Sequence, residues 1–80
     1  MWSVYIVECI DRSYYCGITT NITRRLRQHN SGKGAKYTRG RGPVVLKAIT
    51  YVDTKSKALK LEAKIKKQKK KDKLAYLLSH

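Results

Sequence analysis

Residues 2–10 alternate in the strand sense, yet both alternating sets are apolar. Trp2, Val4, Ile6 and Ile10 fall on one face, and Ser3, Tyr5, Val7 and Cys9 on the other. Only Glu8 interrupts the first set. A strand without a polar face has nothing to give to water, so it is expected in the middle of a sheet and covered on both sides. That demand falls on a chain of 80 residues, short enough that it builds one small core. Residues 1–80 are therefore expected to form one domain, and two-domain arrangements are excluded.

Asp11-Arg12-Ser13 is turn chemistry. It leads into residues 14–18, a short aromatic and apolar run expected to return antiparallel to the first strand. Gly17 lets another group approach the backbone there. Thr20 and Asn21 then compete as helix N-caps, since either side-chain oxygen accepts a free N–H of a first turn. A helix turns by about 100° per residue. Ile22 and Leu26 therefore make the inward stripe, Arg25 and His29 flank it one turn apart, and Arg24 faces nearly the opposite way. Arg25 is thus the arginine expected against the body of the protein, with a planar donor fork suited to phosphate.

Residues 30–43 mix glycines, cations and one aromatic, and read as a loop. Gly32 and Gly34, either side of Lys33, are expected to offer backbone N–H groups to a phosphate. Tyr37 offers a ring for stacking, and Lys36, Arg39 and Arg41 offer charge. The alternative is a solvated connector, but interleaving of ring and cations favours binding. Residues 44–52 are rich in β-branched residues and read as a third strand, with Pro43 at its start, where no ladder donor is needed. Asp53, Thr54 or Ser56 caps a helix running to about Gln68. Lys66 and then Lys69-Lys70-Lys71 extend the basic surface before a short helix over residues 72–78. In the longer helix Ala58, Leu59, Leu61, Ala63 and Ile65 span an inward arc, and Glu62 projects within it. A carboxylate on an apolar face costs free energy unless it is paired or bound to a cation. Two readings stand: a structural ion pair, with Arg25 as the candidate partner, or a metal ligand.

Nineteen Lys and Arg against five Asp and Glu give a formal charge of +14. The expected partner is a polyanion, nucleic acid first and DNA ahead of RNA, with an anionic lipid surface as competitor. No run approaches the ~20 apolar residues of a membrane-spanning helix. Met1-Trp2-Ser3 lacks the charged region of a signal peptide, so a cytoplasmic location is expected. Cys9 and Cys16 have no metal-like spacing and read as buried, reduced thiols. Zinc would need more ligands than these cysteines and two scattered histidines supply.

Taken together, Ser3-Val4-Tyr5, Tyr15-Cys16-Gly17, Arg25, His29 and Glu62 resemble the GIY-YIG nuclease domain, in particular its small stand-alone bacterial members. Tyr15-x-Gly17-x-Thr19, then Arg25-Leu26, then His29-Asn30 carry the pattern, and Gly32-Lys33-Gly34-Ala35-Lys36-Tyr37-Thr38 extends it. Ser3 stands where the family name has its first glycine and Cys16 where it has its central isoleucine. Neither change removes a chemical group. The resemblance implies an α/β fold with a small three-stranded antiparallel sheet flanked by helices, in agreement with the element order above. It implies metal-dependent phosphodiester hydrolysis of low sequence specificity, since no separate recognition domain is present. Tyr5 and Tyr15 are then the motif tyrosines, Arg25 the phosphate-binding arginine, His29 a further polar group on its helix face, and Glu62 the carboxylate that holds Mg²⁺ or Mn²⁺. The base would be Tyr5, Tyr15 or His29, with Tyr15 first. The rival is a non-catalytic basic nucleic-acid-binding module on the same scaffold. Glu62 separates the two, because a pure binder gains nothing from a carboxylate that repels phosphate.

Overall fold

The computed structural model describes residues 1–79. Strand β1 (Trp2–Glu8) turns into β2 (Tyr14–Thr19), followed by helix α1 (Ile22–Asn30) and a 3₁₀ turn at Lys36–Thr38. Strand β3 (Val45–Val52), helix α2 (Lys55–Lys66) and helix α3 (Lys70–Leu78) complete the order. The doubly apolar strand lies in the centre of a three-stranded sheet, order β2-β1-β3, antiparallel on both sides. It ends at Glu8 rather than Ile10. The chain turns there, with the Cys9 N–H on the Ser13 carbonyl at 2.8 Å and Arg12 in the left-handed region at φ 71°. Ile10 is left 63% exposed.

Each face of β1 feeds its own core. Val4, Ile6, Cys16 and Ala48 pack against Ala58, Leu61, Ile65 and Leu77 of α2 and α3. Tyr5, Val7, Cys9 and Val44 pack on the other side against Ile22 and Leu26 of α1. Each fully buried aliphatic side chain in such a core contributes roughly 1.5–3 kcal/mol. The two cysteines are free thiols, as expected, buried on opposite sides of the sheet. The inward stripe of α2 is narrower than the expected arc: Ala58, Leu61 and Ile65 are buried, while Leu59 and Ala63 are exposed. That spacing is one helical stripe against one sheet face, and a small sheet offers no second surface.

Competing caps resolve by geometry. Asn21 caps α1 and accepts from the Arg24 N–H at 3.0 Å, with Thr19 Oγ1 receiving the Asn21 N–H at 3.1 Å. Thr54 caps α2 by accepting from the Lys57 N–H at 3.1 Å. At the far end of α1, Gly32 is left-handed at φ 79°. Its N–H bonds the His29 carbonyl at 3.3 Å and the Lys33 N–H bonds the Gln28 carbonyl at 2.9 Å. This paired closure uses up the Gly32 amide, one of the two expected to cradle a phosphate. Register places Gly17 opposite Tyr5 and Tyr15 opposite Val7, which brings the motif residues of two strands onto the α1 side.

Candidate active site

His29 is the only residue of α1 buried outright. Both ring nitrogens are bonded, Nε2 to Tyr5 Oη at 2.9 Å and Nδ1 to Thr38 Oγ1 at 2.8 Å. A helix-end histidine resting on the dipole would sit in solvent, whereas this one is 1% exposed. Tyr5 and Tyr15 meet its ring edge-on, with centroids 5.9 and 5.5 Å away. The Tyr5 ring lies so close over β2 that a Cβ on Gly17 would sit 2.5 Å from Tyr5 Oη. Burial pushes the Tyr5 phenol up to about 12, with the Arg25 guanidinium beside it acting in the opposite direction. Burial first, and then the Arg25 charge, hold the His29 imidazole below its ordinary value. At neutral pH the pair is therefore a protonated phenol and an uncharged imidazole.

Arg25 is half-buried, as its helix angle requires, while Arg24 and Arg27 are exposed. Its Nη1 donates to Gln28 Oε1 at 3.1 Å. Tyr15 is half-buried, and Tyr37 stacks on it at 5.8 Å with an interplanar angle of 25°. Arg41 lies over the Tyr37 ring at 4.3 Å. Its Nη1 donates to the Tyr37 carbonyl at 2.7 Å and its Nε to Asp11 Oδ2 at 3.0 Å. Arg41, expected to be available to phosphate, is thus occupied as a strap between the loop and the β1–β2 turn. Lys33, Lys36 and Arg39 are exposed. Thr38, buried at 1% exposure, stands in the sequence only as the last residue of the run that extends the family pattern, and nothing there singles out its hydroxyl. The available signal was Gly34, because a Cβ there would overlap His29 and the loop must fold back onto the ring.

Glu62 belongs to the other layer. It is paired with Lys66 of its own helix at 3.7 Å, so the ion-pair partner is Lys66 and not Arg25. Lys66 remains 54% exposed, against 18% for Glu62. Burial and then the Glu62 charge push the Cys16 thiol up to about 12, against Lys66 and Lys73. Cys16 is accordingly an inert thiol, and Glu62 lies within electrostatic reach of it. Edge strand β2 therefore joins the two layers: Tyr15 packs on the α1 side and Cys16, with Glu62 near it, on the α2 side. At 3.7 Å the lysine contact is too long for a tight charge-assisted hydrogen bond. Glu62 thus keeps acceptor capacity for a hard cation that retains most of its own waters. No cluster of three His, Cys, Asp or Glu suited to a metal exists among the described residues, so an all-protein cage is not offered. A single anchoring carboxylate fits Mg²⁺ or Mn²⁺ in that manner.

Comparison with known proteins matches the chain to a family. The GIY-YIG catalytic domain matches residues 1–75. A UPF0213 protein of Halobacterium salinarum is 52% identical over 66 residues, 82% of this chain and 86% of that protein. A UPF0213 protein of Haloquadratum walsbyi is 55% identical over 74 residues, 90% of this chain and 83% of that protein. Among solved structures, the solution NMR structure of a UPF0213 protein from Bacillus halodurans superposes with a TM-score of 0.58. It is 46% identical and covers 99% of this chain and 84% of its own. That of a protein from E. faecalis superposes with a TM-score of 0.66, at 44% identity, covering 96% and 82%.

Proposed function

Because this chain belongs to the GIY-YIG family, whose domain is that of a nuclease with nucleic acid as its substrate, we propose that it is a divalent-metal-dependent endonuclease. It hydrolyses phosphodiester bonds with little sequence preference, DNA ahead of RNA. The observation that carries this reading is the buried arrangement of Tyr5, His29 and Thr38 with Arg25 beside the phenol. A binding surface has no need to bury a fully hydrogen-bonded imidazole against two tyrosines.

Each residue then has a task set by its surroundings. Arg25 neutralises the scissile phosphate, whose charge rises in the transition state, from a half-buried position where its field is poorly screened. Tyr15 stands nearer solvent than Tyr5 and is the group that meets the attacking water. Tyr5 and His29 are closed off from solvent, so they act through what they hold, namely the orientation of Arg25 and Tyr15. Glu62 would hold Mg²⁺ or Mn²⁺, which when bound supplies Lewis-acid stabilisation of charge on the leaving oxygen. Lys33, Lys36, Arg39 and Lys66 add backbone affinity, and Tyr37 a stacking surface at 39% exposure. The working place of such an enzyme is the cytoplasm, with DNA repair or processing as the setting.

The test is a cleavage assay on branched, flapped, single-stranded and duplex substrates, with Mn²⁺, with Mg²⁺ or with chelator. Metal-dependent cuts are expected on at least one structure. Binding without cleavage on every substrate would leave the non-catalytic basic module as the correct reading.

A further inference from the structure

We propose that Thr38 is a positioning residue: its hydroxyl holds His29 with the single ring proton on Nδ1, so that Nε2 accepts the Tyr5 hydroxyl proton and the Tyr5 oxygen lone pairs face Arg25. Thr38 Oγ1 lies 2.9 Å from the Ala35 carbonyl oxygen and 2.8 Å from His29 Nδ1. A carbonyl oxygen only accepts, so the one hydroxyl proton of Thr38 goes to Ala35. The Thr38 oxygen is then an acceptor toward the ring, and Nδ1 must carry the proton. Nε2 is left with a lone pair, and at 2.9 Å the Tyr5 hydroxyl donates to it.

The opposite tautomer leaves two faults. Thr38 would donate to Nδ1 and face the Ala35 carbonyl with a lone pair at hydrogen-bond distance. Tyr5 would receive a proton from Nε2, in addition to the Arg25 guanidinium beside it, and its own hydroxyl proton would need another acceptor inside a fully buried site. A buried donor proton left without an acceptor is costly. Among the described residues no buried side-chain polar atom lacks a partner, and the Nδ1-protonated ring also gives the Tyr5 and Thr38 hydroxyl protons each an acceptor.

Gly34 supports this independently. The chain folds back so tightly on His29 that a Cβ at Gly34 would overlap Nδ1, and the 3₁₀ turn Lys36–Thr38 then delivers the hydroxyl to that nitrogen. The loop is therefore moulded to one edge of the ring while Tyr5 takes the other. The same turn puts Tyr37 on Tyr15. Its consequence for cleavage rests on the nuclease reading above; the tautomer does not.

The test is the imidazole ¹⁵N spectrum of uniformly labelled protein at about pH 8, above the ordinary histidine range. The wild type should show a proton-bearing Nδ1 and a pyridine-like Nε2 at His29. Thr38→Val removes the acceptor and should move the proton to Nε2, whereas Thr38→Ser should keep the wild-type pattern. If Thr38→Val fails to fold, Thr38→Ala removes the hydroxyl without setting a methyl against the ring. Protonated Nε2 in the wild type overturns the proposal, and so does a hydroxyl-free variant whose pattern is unchanged. On a flapped duplex with Mn²⁺, the hydroxyl-free variant should lose kcat by about tenfold or more with KM little changed, and Thr38→Ser should recover most of it. Cleavage by the wild type together with a protonated Nε2 sinks this proposal alone. Absence of cleavage on all substrates sinks the nuclease reading, and the ring spectra still decide the tautomer.

Discussion

Gly17 lacks a side chain because the Tyr5 phenol fills the space that one would need. An added Cβ would lie 2.5 Å from Tyr5 Oη, 2.7 Å from its Cζ and 3.1 Å from Tyr15 Cε2. The ring is fully buried and bonded to His29, so it cannot swing aside without breaking that bond. Gly17→Ala is expected to destabilise the fold by about 1–3 kcal/mol in urea unfolding, the usual cost of overpacking a small core. An unchanged midpoint would mean that the phenol yields without cost. The same buried pair sets a pH signature. The His29 value is depressed below 6.5, so its contribution to stability is present above about 6.5 and lost as pH falls through the folded value. The Tyr5 value is raised from 10.0 to about 12, so its contribution is present below pH 10 and lost as pH rises through about 12. The Cys16 thiol, raised from 9.0 to about 12, adds a loss that begins near pH 9, so stability against pH should be flat between about 6.5 and 9, with a shoulder on the acid side that His29→Gln removes. Asp11 and Asp53 also have lowered values, but they are exposed carboxylates and act only below about pH 4. An acid shoulder that survives in His29→Gln would assign it to another group.

The loop between α1 and β3 divides its cations between two jobs. Arg41 is held by Asp11, the Tyr37 carbonyl and the Tyr37 ring, whereas Lys36 and Arg39 are exposed. Each phosphate contact adds about 0.9 to the slope of log affinity against log salt on duplex DNA. Lys36→Ala with Arg39→Ala should therefore lower that slope by up to about 1.8. Arg41→Ala should lower it by much less, and Asp11→Asn should raise it by freeing Arg41. Equal losses from Arg39→Ala and Arg41→Ala would show that the strap opens on binding. The Asp11 pair itself is solvent-facing and screened by water, so the fold should tolerate all of these changes. Elements of this kind also mark how far the sequence could be read. The central strand was legible because burial on both faces leaves a pattern in the residues themselves, and Arg25 because helix geometry separates it from Arg24. The fate of Gly32 was not, since a glycine that ends a helix and one that cradles a phosphate look alike until the amide partners are known. Arg41 and Thr38 depend on contacts with Asp11 and His29, at separations along the chain that no local period encodes.

Across the whole molecule the two layers carry different halves of the proposed site. Arg25 stands with Tyr5 on the α1 side, and Glu62 with Cys16 on the α2 side, on opposite faces of the sheet. This separation makes their loss distinguishable. Glu62→Gln keeps the shape of the side chain and one acceptor while removing the charge that a hard divalent cation requires. Its partner Lys66 is more than half exposed and returns to water, so the fold should be unchanged within about 1 kcal/mol. DNA affinity measured in chelator should hold or rise slightly, because the formal charge goes from +14 to one unit more positive. Cleavage with Mn²⁺ should fall by two orders of magnitude or more, the scale seen when a main electrostatic stabiliser is removed from a hydrolytic site. Arg25→Ala should lower cleavage on a similar scale and also weaken binding in chelator, since in the proposed reaction the half-buried guanidinium serves both ground state and transition state. Melting, binding in chelator and single-turnover cleavage, measured on both variants, separate these outcomes. Unfolding of both variants would make Glu62 and Arg25 structural residues and remove the metal anchor from the proposed reaction. If instead Glu62→Gln cleaves as the wild type does, the divalent cation is held elsewhere and the α2 layer serves only to support the sheet.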